Sequence, residues 1–131
     1  MITIGTDIVD VDRVSSARDA LLARVLLPAE RTYCLGQASP DLHVAGRFAA
    51  KEAVFKALRP PSPNKISWHD IEVINEPGGA PRAILTGAAR EHASNVGIVA
   101  VHISLSHVRD FAVATAVCEW KSQDATCATA S

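Results

Sequence analysis

Residues 42–58 read LHVAGRFAAKEAVFKAL, and this stretch predicts the longest helix of the chain. On a helical wheel of about 100° per residue, the large apolar side chains of Val44, Phe48, Phe55 and Leu58 fall on one arc. A pair of prolines follows directly, and proline cannot continue a helix. The stretch is therefore expected to pack its apolar arc on a core and to end at residue 58.

Three charged residues of this helix have unusual positions. Lys51 falls in the middle of the apolar arc, where an ammonium group costs free energy unless it reaches solvent or finds an anion. Glu52 and Lys56 lie one turn apart at the edge of the arc. For those two alone, an ordinary i, i+4 ion pair on the helix surface is the simpler interpretation.

The rest of the chain alternates between strand and helix patterns. Strands are predicted over 2–9, 98–106 and 111–119, a β-hairpin over 69–76 and 82–85, and helices over 12–26, from Pro28, and over 86–96. This order favours a single compact α+β domain with helices packed on a largely antiparallel sheet. We place the domain at residues 1–120 and expect 121–131 to be a disordered tail.

Composition narrows the functional classes. The chain has 131 residues, 48% of them hydrophobic and 21% charged, and its formal net charge is -1. This balance is typical of a soluble domain and indicates neither nucleic-acid nor membrane binding. Three cysteines without CxxC spacing argue against a zinc site or a disulfide framework and for a reducing compartment. No signal peptide is recognisable, so we expect a cytoplasmic protein.

Polar residues interrupt two predicted strands. Asp7 lies between apolar neighbours, and a carboxylate beside a core must be hydrogen-bonded, paired or bound to a metal. Taken alone, a structural hydrogen bond is the simpler interpretation for Asp7. In residues 99–107, VAVHISLSH, the side chains of His102, Ser104 and Ser106 share one face, and His107 ends the strand. Such a row lines a cleft or, more commonly, faces water.

Together these residues supply two carboxylates, several cations, hydroxyls and imidazoles. That inventory suits a diphosphate with Mg²⁺, which proteins hold with one or two carboxylates beside phosphate oxygens. Lys and Arg side chains then neutralise the remaining phosphate charge. The residues alone do not identify the phosphate compound.

Two segments resemble the signature of the phosphopantetheinyl transferase superfamily. The first is IGTDI at 4–8, and the second is FAAKEAVFK at 48–56. The segments GTDIVDVDRV, GRFAAKEAVFKAL, WHDIEV and HISLSH resemble those of its short holo-acyl-carrier-protein synthases, and the similarity covers about residues 1–117. The resemblance implies a Mg²⁺-dependent enzyme that moves 4′-phosphopantetheine from coenzyme A to a serine of an apo acyl carrier protein, releasing 3′,5′-ADP. It also implies the family's fold and a homotrimer with each active site between two subunits.

Site residues follow from the same resemblance. It implies Asp7 and Glu52 as Mg²⁺ ligands and leaves Glu52, His107 or a metal-bound water as the base for the serine proton. It places Lys51 and Lys56 near the diphosphate and Arg13 at the acidic helix of the carrier. Residues expected near coenzyme A are Arg47, Lys56, Arg59, His102, Ser104, Ser106 and His107, and Arg18 and Arg24 are expected to assist Arg13 by position.

One departure and three alternatives remain. Relatives usually continue their second signature into glycine, whereas this chain has Arg59-Pro60-Pro61, so Arg59 is expected to supply a guanidinium contact instead. The alternatives are a dedicated polyketide or peptide-synthase carrier as substrate, a pseudo-enzyme that binds coenzyme A or a carrier without transfer, and a structural oligomerisation domain. The last explains the apolar strands but not Lys51.

Overall fold

The computed structural model describes residues 1–62 and 65–122, so most of the expected tail, residues 123–131, lies outside the described residues. The elements in chain order are β1 (Ile2–Asp10), α1 (Val11–Ser16), α2 (Arg18–Arg24), α3 (Pro28–Leu35), α4 (Pro40–Leu58), a 3₁₀ turn (Trp68–Asp70), β2 (Ile71–Asn75), β3 (Pro81–Leu85), α5 (Gly87–Val96), β4 (Ile98–His107) and β5 (Phe111–Trp120).

The strands form two antiparallel sheets. β5 is the central strand of a three-stranded sheet and pairs with β1 on one side and β4 on the other. β2 and β3 form the separate hairpin that the sequence predicted, although the 3₁₀ turn occupies its first residues. The prediction of an α+β fold with an antiparallel sheet is confirmed.

Helix α4 packs across β1 and β5 through small residues. Ala112, Ala114 and Ala116 of β5 are fully buried, and so are Ala49, Ala53 and Ala57 of α4. At Gly5 the strand comes so close to the helix that an added Cβ would lie 2.0 Å from the carbonyl oxygen of Ala53. Small side chains thus set a short distance between β1 and α4.

The continuous helix predicted for 12–26 is wrong. The chain leaves helical geometry at Ala17, with φ −112° and ψ 18°, and two short helices result. The amide of Ala17 still donates to the carbonyls of Arg13 and Val14. Val14 of α1 is buried, and Leu21 and Leu22 of α2 are partly buried and pack against the core. The break therefore redirects the second helix without exposing its apolar side.

The outer face of the three-stranded sheet is apolar and open. Ile2, Ile4 and Ile8 of β1 are each more than half exposed, whereas Thr3 and Val9 point inward. The register places Val117 beside Ile4 and Val113 beside Ile8 on this face. We call the outward side chains of β1 and β5 the open apolar face. In the part of the chain that the structure describes, no helix has the length and apolar character needed to cross a membrane.

Cys34 and Cys118 are buried, and neither forms a disulfide. Burial raises the pKa of the Cys34 thiol to about 11, so this side chain stays protonated at neutral pH. Cys118 likewise has a raised pKa because of burial. Neither thiol has the depressed pKa of a nucleophile.

Candidate active site

Asp7 and Glu52 line one cavity between β1, the first two helices and α4. Its volume is about 480 Å³. The remaining walls combine polar and apolar side chains, namely Ile8, Val9, Asp10, Arg13, Val14, Ala17, Leu21 and Phe48. The structure therefore brings together the two carboxylates that the sequence singled out, and we call this space the carboxylate cavity.

The close packing of β1 on α4 explains why these carboxylates meet. Gly5 lies against Ala53, and Glu52 is the residue before Ala53. Asp7 follows Gly5 by two residues, so both point to the same side of the strand. A β1 residue larger than glycine at this contact would separate the two carboxylates.

The charges in the carboxylate cavity act on one another. Burial raises the pKa of Glu52, the negative charge of Asp7 raises it further, and Lys56 opposes both effects. The Lys56 ammonium donates to Asp7 Oδ1 at 3.1 Å and to the Thr6 carbonyl at 3.0 Å. Among the described residues the ion pair of Lys56 is therefore with Asp7, and not the i, i+4 pair with Glu52 that the helix pattern favoured.

This donor set fits a hydrated Mg²⁺ ion. Asp7 and Glu52 share this cavity, and the ionised form of Glu52 is disfavoured by burial and by the negative charge of Asp7. A cation bound between them would relieve this repulsion. Mg²⁺ typically takes one or two protein carboxylates and fills its other positions with phosphate oxygens and water. The described residues hold no group of three or more His, Cys, Asp and Glu side chains, which a closed transition-metal site would require.

Lys51 occupies a different environment from the one expected for a diphosphate contact. Its side chain is fully buried, and its ammonium lies 2.8 Å from Glu30 Oε1. It also donates to the carbonyls of Trp68 and Ile71, at 2.9 and 2.6 Å. Since an ammonium has three N–H donors and all three are used, Lys51 does not reach the diphosphate in this geometry. Its anomalous position on the wheel is explained by the buried anion Glu30.

A second cavity gathers three residues expected near coenzyme A. Arg47, Ser106 and His107 line a space of about 190 Å³ together with residues of α3, α4 and the hairpin, including Tyr33, His43 and Asn75. The Arg47 guanidinium lies 4.3 Å from the centre of the Tyr33 ring and donates to the Asn75 side chain. Its buried Nε has no hydrogen-bond partner in the structure. We call this space the arginine cavity.

His102 and Ser104 lie elsewhere within the chain. Both point outward from β4 beside the outward residues of β5, while Asp7 points to the α4 side of the sheet. The His102 ring is hydrogen-bonded to Glu119 at 2.7 Å. Neither residue lines the carboxylate cavity or the arginine cavity. A single chain therefore does not bring these two residues to either cavity.

The remaining cations are on the surface. Arg13 lines the carboxylate cavity, and Arg24 is exposed in the last turn of α2. Arg18 lies 3.4 Å from Asp41 at the start of α4, so part of its charge is already neutralised. Arg59 follows α4 in the left-handed conformation, with φ 51° and ψ 54°.

Three residues that contact Lys51 or Arg47 were not predicted from the sequence. Glu30 gave no signal, because a glutamate in the first turn of a helix usually faces solvent. Tyr33 and Asn75 meet Arg47 only through the packing of α3 and the hairpin on α4. The hydrogen bond from Arg47 to Asn75 joins positions 28 residues apart, and no local sequence pattern encodes such a contact.

The chain is similar to proteins of one known family. The model of the 4′-phosphopantetheinyl transferase superfamily matches residues 3–116. The chain is 43% identical over 122 residues to the holo-[acyl-carrier-protein] synthase of Moorella thermoacetica, covering 91% of this chain and 94% of the relative. The chain belongs to the 4′-phosphopantetheinyl transferase superfamily.

Solved structures of this superfamily have the same fold. A holo-(acyl-carrier-protein) synthase from Bacillus anthracis, in complex with CoA (3′,5′-ADP), superposes with a TM-score of 0.75 at 36% identity and covers 91% of this chain and 96% of its own. The synthase from Neisseria meningitidis gives a TM-score of 0.82 at 31% identity, covering 91% and 99%. In this phosphopantetheinyl transferase, the two signature segments are β1 and α4, the elements that form the carboxylate cavity.

Proposed function

We propose that this protein carries out the holo-[acyl-carrier-protein] synthase reaction. It transfers 4′-phosphopantetheine from coenzyme A to a serine of an apo acyl carrier protein and releases 3′,5′-ADP. The observation that carries the proposal is the meeting of Asp7 and Glu52 at one cavity, with Lys56 paired to Asp7, in a chain similar along most of its length to synthases of that name. Paired carboxylates and a lysine are the groups that a diphosphate with its metal ion requires.

Coenzyme A is proposed to lie between the two cavities. Its nucleotide end carries phosphate, for which the arginine cavity offers Arg47, Ser106 and His107. The unpartnered Nε of Arg47 supports this assignment, because a buried guanidinium donor without an acceptor is rare in a folded protein. A similar protein from Bacillus anthracis is in complex with CoA (3′,5′-ADP).

The diphosphate is proposed to lie at the carboxylate cavity. Asp7 and Glu52 would hold Mg²⁺, which when bound would supply positive charge for the diphosphate oxygens. Lys56 is half exposed and lies beside Asp7, so its ammonium can turn from Asp7 toward a phosphate oxygen. Positive charge held in place before the reaction stabilises the charge that develops on those oxygens.

The serine hydroxyl must lose its proton as it attacks the β-phosphate. Within one chain, Glu52 is better placed to accept that proton than His107, because His107 lines the other cavity. Asp7 and Lys56 then retain the charges that orient the diphosphate.

The active form is proposed to be a homotrimer held through the open apolar face. Exposed Ile2, Ile4 and Ile8 form an apolar patch of the kind that marks protein interfaces. Burying this face against other copies would bring the outward residues His102 and Ser104 into an interface and next to a neighbouring site. The variant Ile4→Lys tests this by light scattering, since a charge on the face should give monomers. A trimer of unchanged mass would argue against this surface.

The carrier protein is proposed to dock beside α1 and α2. Arg13 lies at the mouth of the carboxylate cavity, and exposed Arg24 lies on the following helix. Acidic groups of a carrier would be steered to these cations, which would place its serine near the diphosphate.

The test is intact-mass spectrometry of apo acyl carrier proteins incubated with this protein, coenzyme A and Mg²⁺. A gain of one phosphopantetheine, abolished by EDTA, supports the transferase. Transfer only to polyketide or peptide-synthase carriers would redirect the substrate assignment. Binding of coenzyme A without transfer to any carrier would identify a pseudo-enzyme and overturn the proposal.

A further inference from the structure

An ion pair between Glu30 and Lys51 lies in the interior of the protein. The Lys51 side chain is fully buried and that of Glu30 is 1% exposed, with Nζ and Oε1 2.8 Å apart. Burying two charges costs free energy that their attraction recovers only with good geometry and further hydrogen bonds. The pair therefore calls for a physical reason beyond burial.

The hydrogen bonds of this pair join four separate elements. Glu30 of α3 accepts from the Leu27 amide at 2.7 Å and from the Val73 amide of β2 at 2.7 Å. Lys51 of α4 donates to the carbonyls of Trp68 and Ile71, in the 3₁₀ turn and at the start of β2. Each bond has a preferred direction and distance, so together they hold α4 at one rotation and one height relative to α3 and β2.

The other side of α4 is held by fewer buried hydrogen bonds among the described residues. It meets β1 and β5 mainly through alanines and the backbone of Gly5, which form shallow ridges, and Thr3 donates one buried hydrogen bond to the Ala57 carbonyl near the end of the helix. Ridges and grooves are what fix the position of a packed helix, and shallow ones resist rotation weakly. Replacing a buried ion pair by apolar side chains is often neutral for stability, and in some proteins such a pair serves to specify the position of the elements that it joins.

Rotation of α4 would act directly on the proposed site. Glu52 is the residue after Lys51. Arg47 lies about one helical turn before Lys51, and Lys56 lies about one turn after Glu52. We propose that Glu30 is a positioning residue, which fixes the rotation of α4 through Lys51 and so holds Glu52 opposite Asp7. Glu30 touches neither substrate nor metal. This inference rests on the proposed function, since it concerns the same two carboxylates.

The test measures binding of Mn²⁺, used as a paramagnetic probe for Mg²⁺, by electron paramagnetic resonance in the presence of coenzyme A. The decisive variant is Glu30→Gln with Lys51→Met, because it removes both charges together. Glu30→Gln alone leaves the Lys51 charge buried without its anion, so the double variant should unfold at a higher temperature than this single variant. We expect its Mn²⁺ dissociation constant to rise by roughly tenfold or more, as for other residues that orient metal ligands.

Two further variants separate position from stability. Val73→Ala removes a buried side chain beside the pair but keeps the backbone amide that Glu30 uses, so it should lower the unfolding temperature and leave Mn²⁺ binding unchanged. Glu30→Asp keeps the charge but is one methylene shorter, so it should fold and bind Mn²⁺ with intermediate affinity.

The outcomes are distinct. If the wild-type protein binds Mn²⁺ and either the double variant or Glu30→Asp binds it equally well, the positioning role is wrong and the proposed function stands. A Val73→Ala variant that weakens Mn²⁺ binding as much as the double variant also overturns the positioning role. If the wild-type protein fails to bind Mn²⁺ with coenzyme A present, the metal site of the proposed function falls, and the positioning role falls with it.

Discussion

Gly5 of β1 lies directly against the carbonyl oxygen of Ala53 in α4, so closely that a Cβ at position 5 would be 2.0 Å from that oxygen. This contact determines the distance between the strand that carries Asp7 and the helix that carries Glu52. Both signature segments of the family meet at this point. Gly5 therefore contributes to the site indirectly, because it determines how close Asp7 lies to α4.

The variant Gly5→Ala tests this contact. The added methyl group must push β1 from α4, and overpacking of this kind costs about 1–3 kcal/mol of unfolding free energy, occasionally more. It should also weaken metal binding, because Asp7 moves away from Glu52. Urea unfolding and Mn²⁺ binding measure the two effects.

Gly46→Ala is the matched control for that experiment. Gly46 lies in α4 at the arginine cavity, and a Cβ added there would have no atom within 4 Å beyond its chain neighbours and the backbone of its own helix turn. Alanine has a higher helix propensity than glycine, so this variant should gain roughly 0.5–1 kcal/mol of unfolding free energy and keep its metal affinity. Equal changes in unfolding free energy and Mn²⁺ affinity in the two variants would show that the contact between Gly5 and Ala53 does not determine the position of Asp7.

Arg59 provides a second prediction. It follows α4 with φ 51°, a conformation that costs a non-glycine residue about 1–2 kcal/mol. Arg59→Gly should raise the unfolding free energy by roughly 0.5–1 kcal/mol, because the greater flexibility of glycine in the unfolded chain offsets part of the gain. If Arg59 contacts coenzyme A, the same variant raises KM for coenzyme A.

The control for Arg59→Gly is Arg59→Ala, which removes the guanidinium but keeps a Cβ. It should give no gain in stability and the same change in KM. Stabilisation by both variants would mean that the left-handed conformation is not the cause.

The carrier surface gives a third prediction. Arg24→Glu should raise KM for the carrier protein by roughly three- to tenfold and make that KM less dependent on salt, with KM for coenzyme A unchanged. Arg18→Glu should be less specific, because Arg18 is paired with Asp41 and its reversal also disturbs the junction of α2 with α4.

Steady-state kinetics with each substrate varied in turn measure these effects. Arg90→Glu, at an exposed position of α5, is the control and should leave both KM values unchanged. An equal increase in carrier KM for Arg90→Glu would show that net charge, and not the α1–α2 surface, governs docking.

The local elements were predictable from the sequence because their signals are local. Helix α4 has its apolar arc and its terminating prolines, and the hairpin has glycines between two apolar runs. The break at Ala17 was not predictable, since the residue is neither proline nor glycine and its amide remains hydrogen-bonded. It arises from how two short helices fit the core.

The site was predictable only in part, for a related reason. Lys51 was recognisably anomalous within its own helix, whereas its partner Glu30 is 21 positions away and resembles an ordinary first-turn glutamate. The partner of Lys56 was likewise decided by the packing of β1 on α4, which brings Asp7 closer than the neighbouring Glu52. Roles given to His102 and Ser104 stay predictions, since both lie on the open side of the sheet.

The most direct test of the account is the variant Glu52→Gln in the intact-mass assay, with thermal unfolding measured in parallel. The pKa of Glu52 is raised in the folded protein, so folding disfavours its ionised form, and removing that charge should not lower the unfolding temperature. The expected result is a folded protein that adds no phosphopantetheine to the carrier. A folded Glu52→Gln variant that forms holo carrier at the wild-type rate would contradict it.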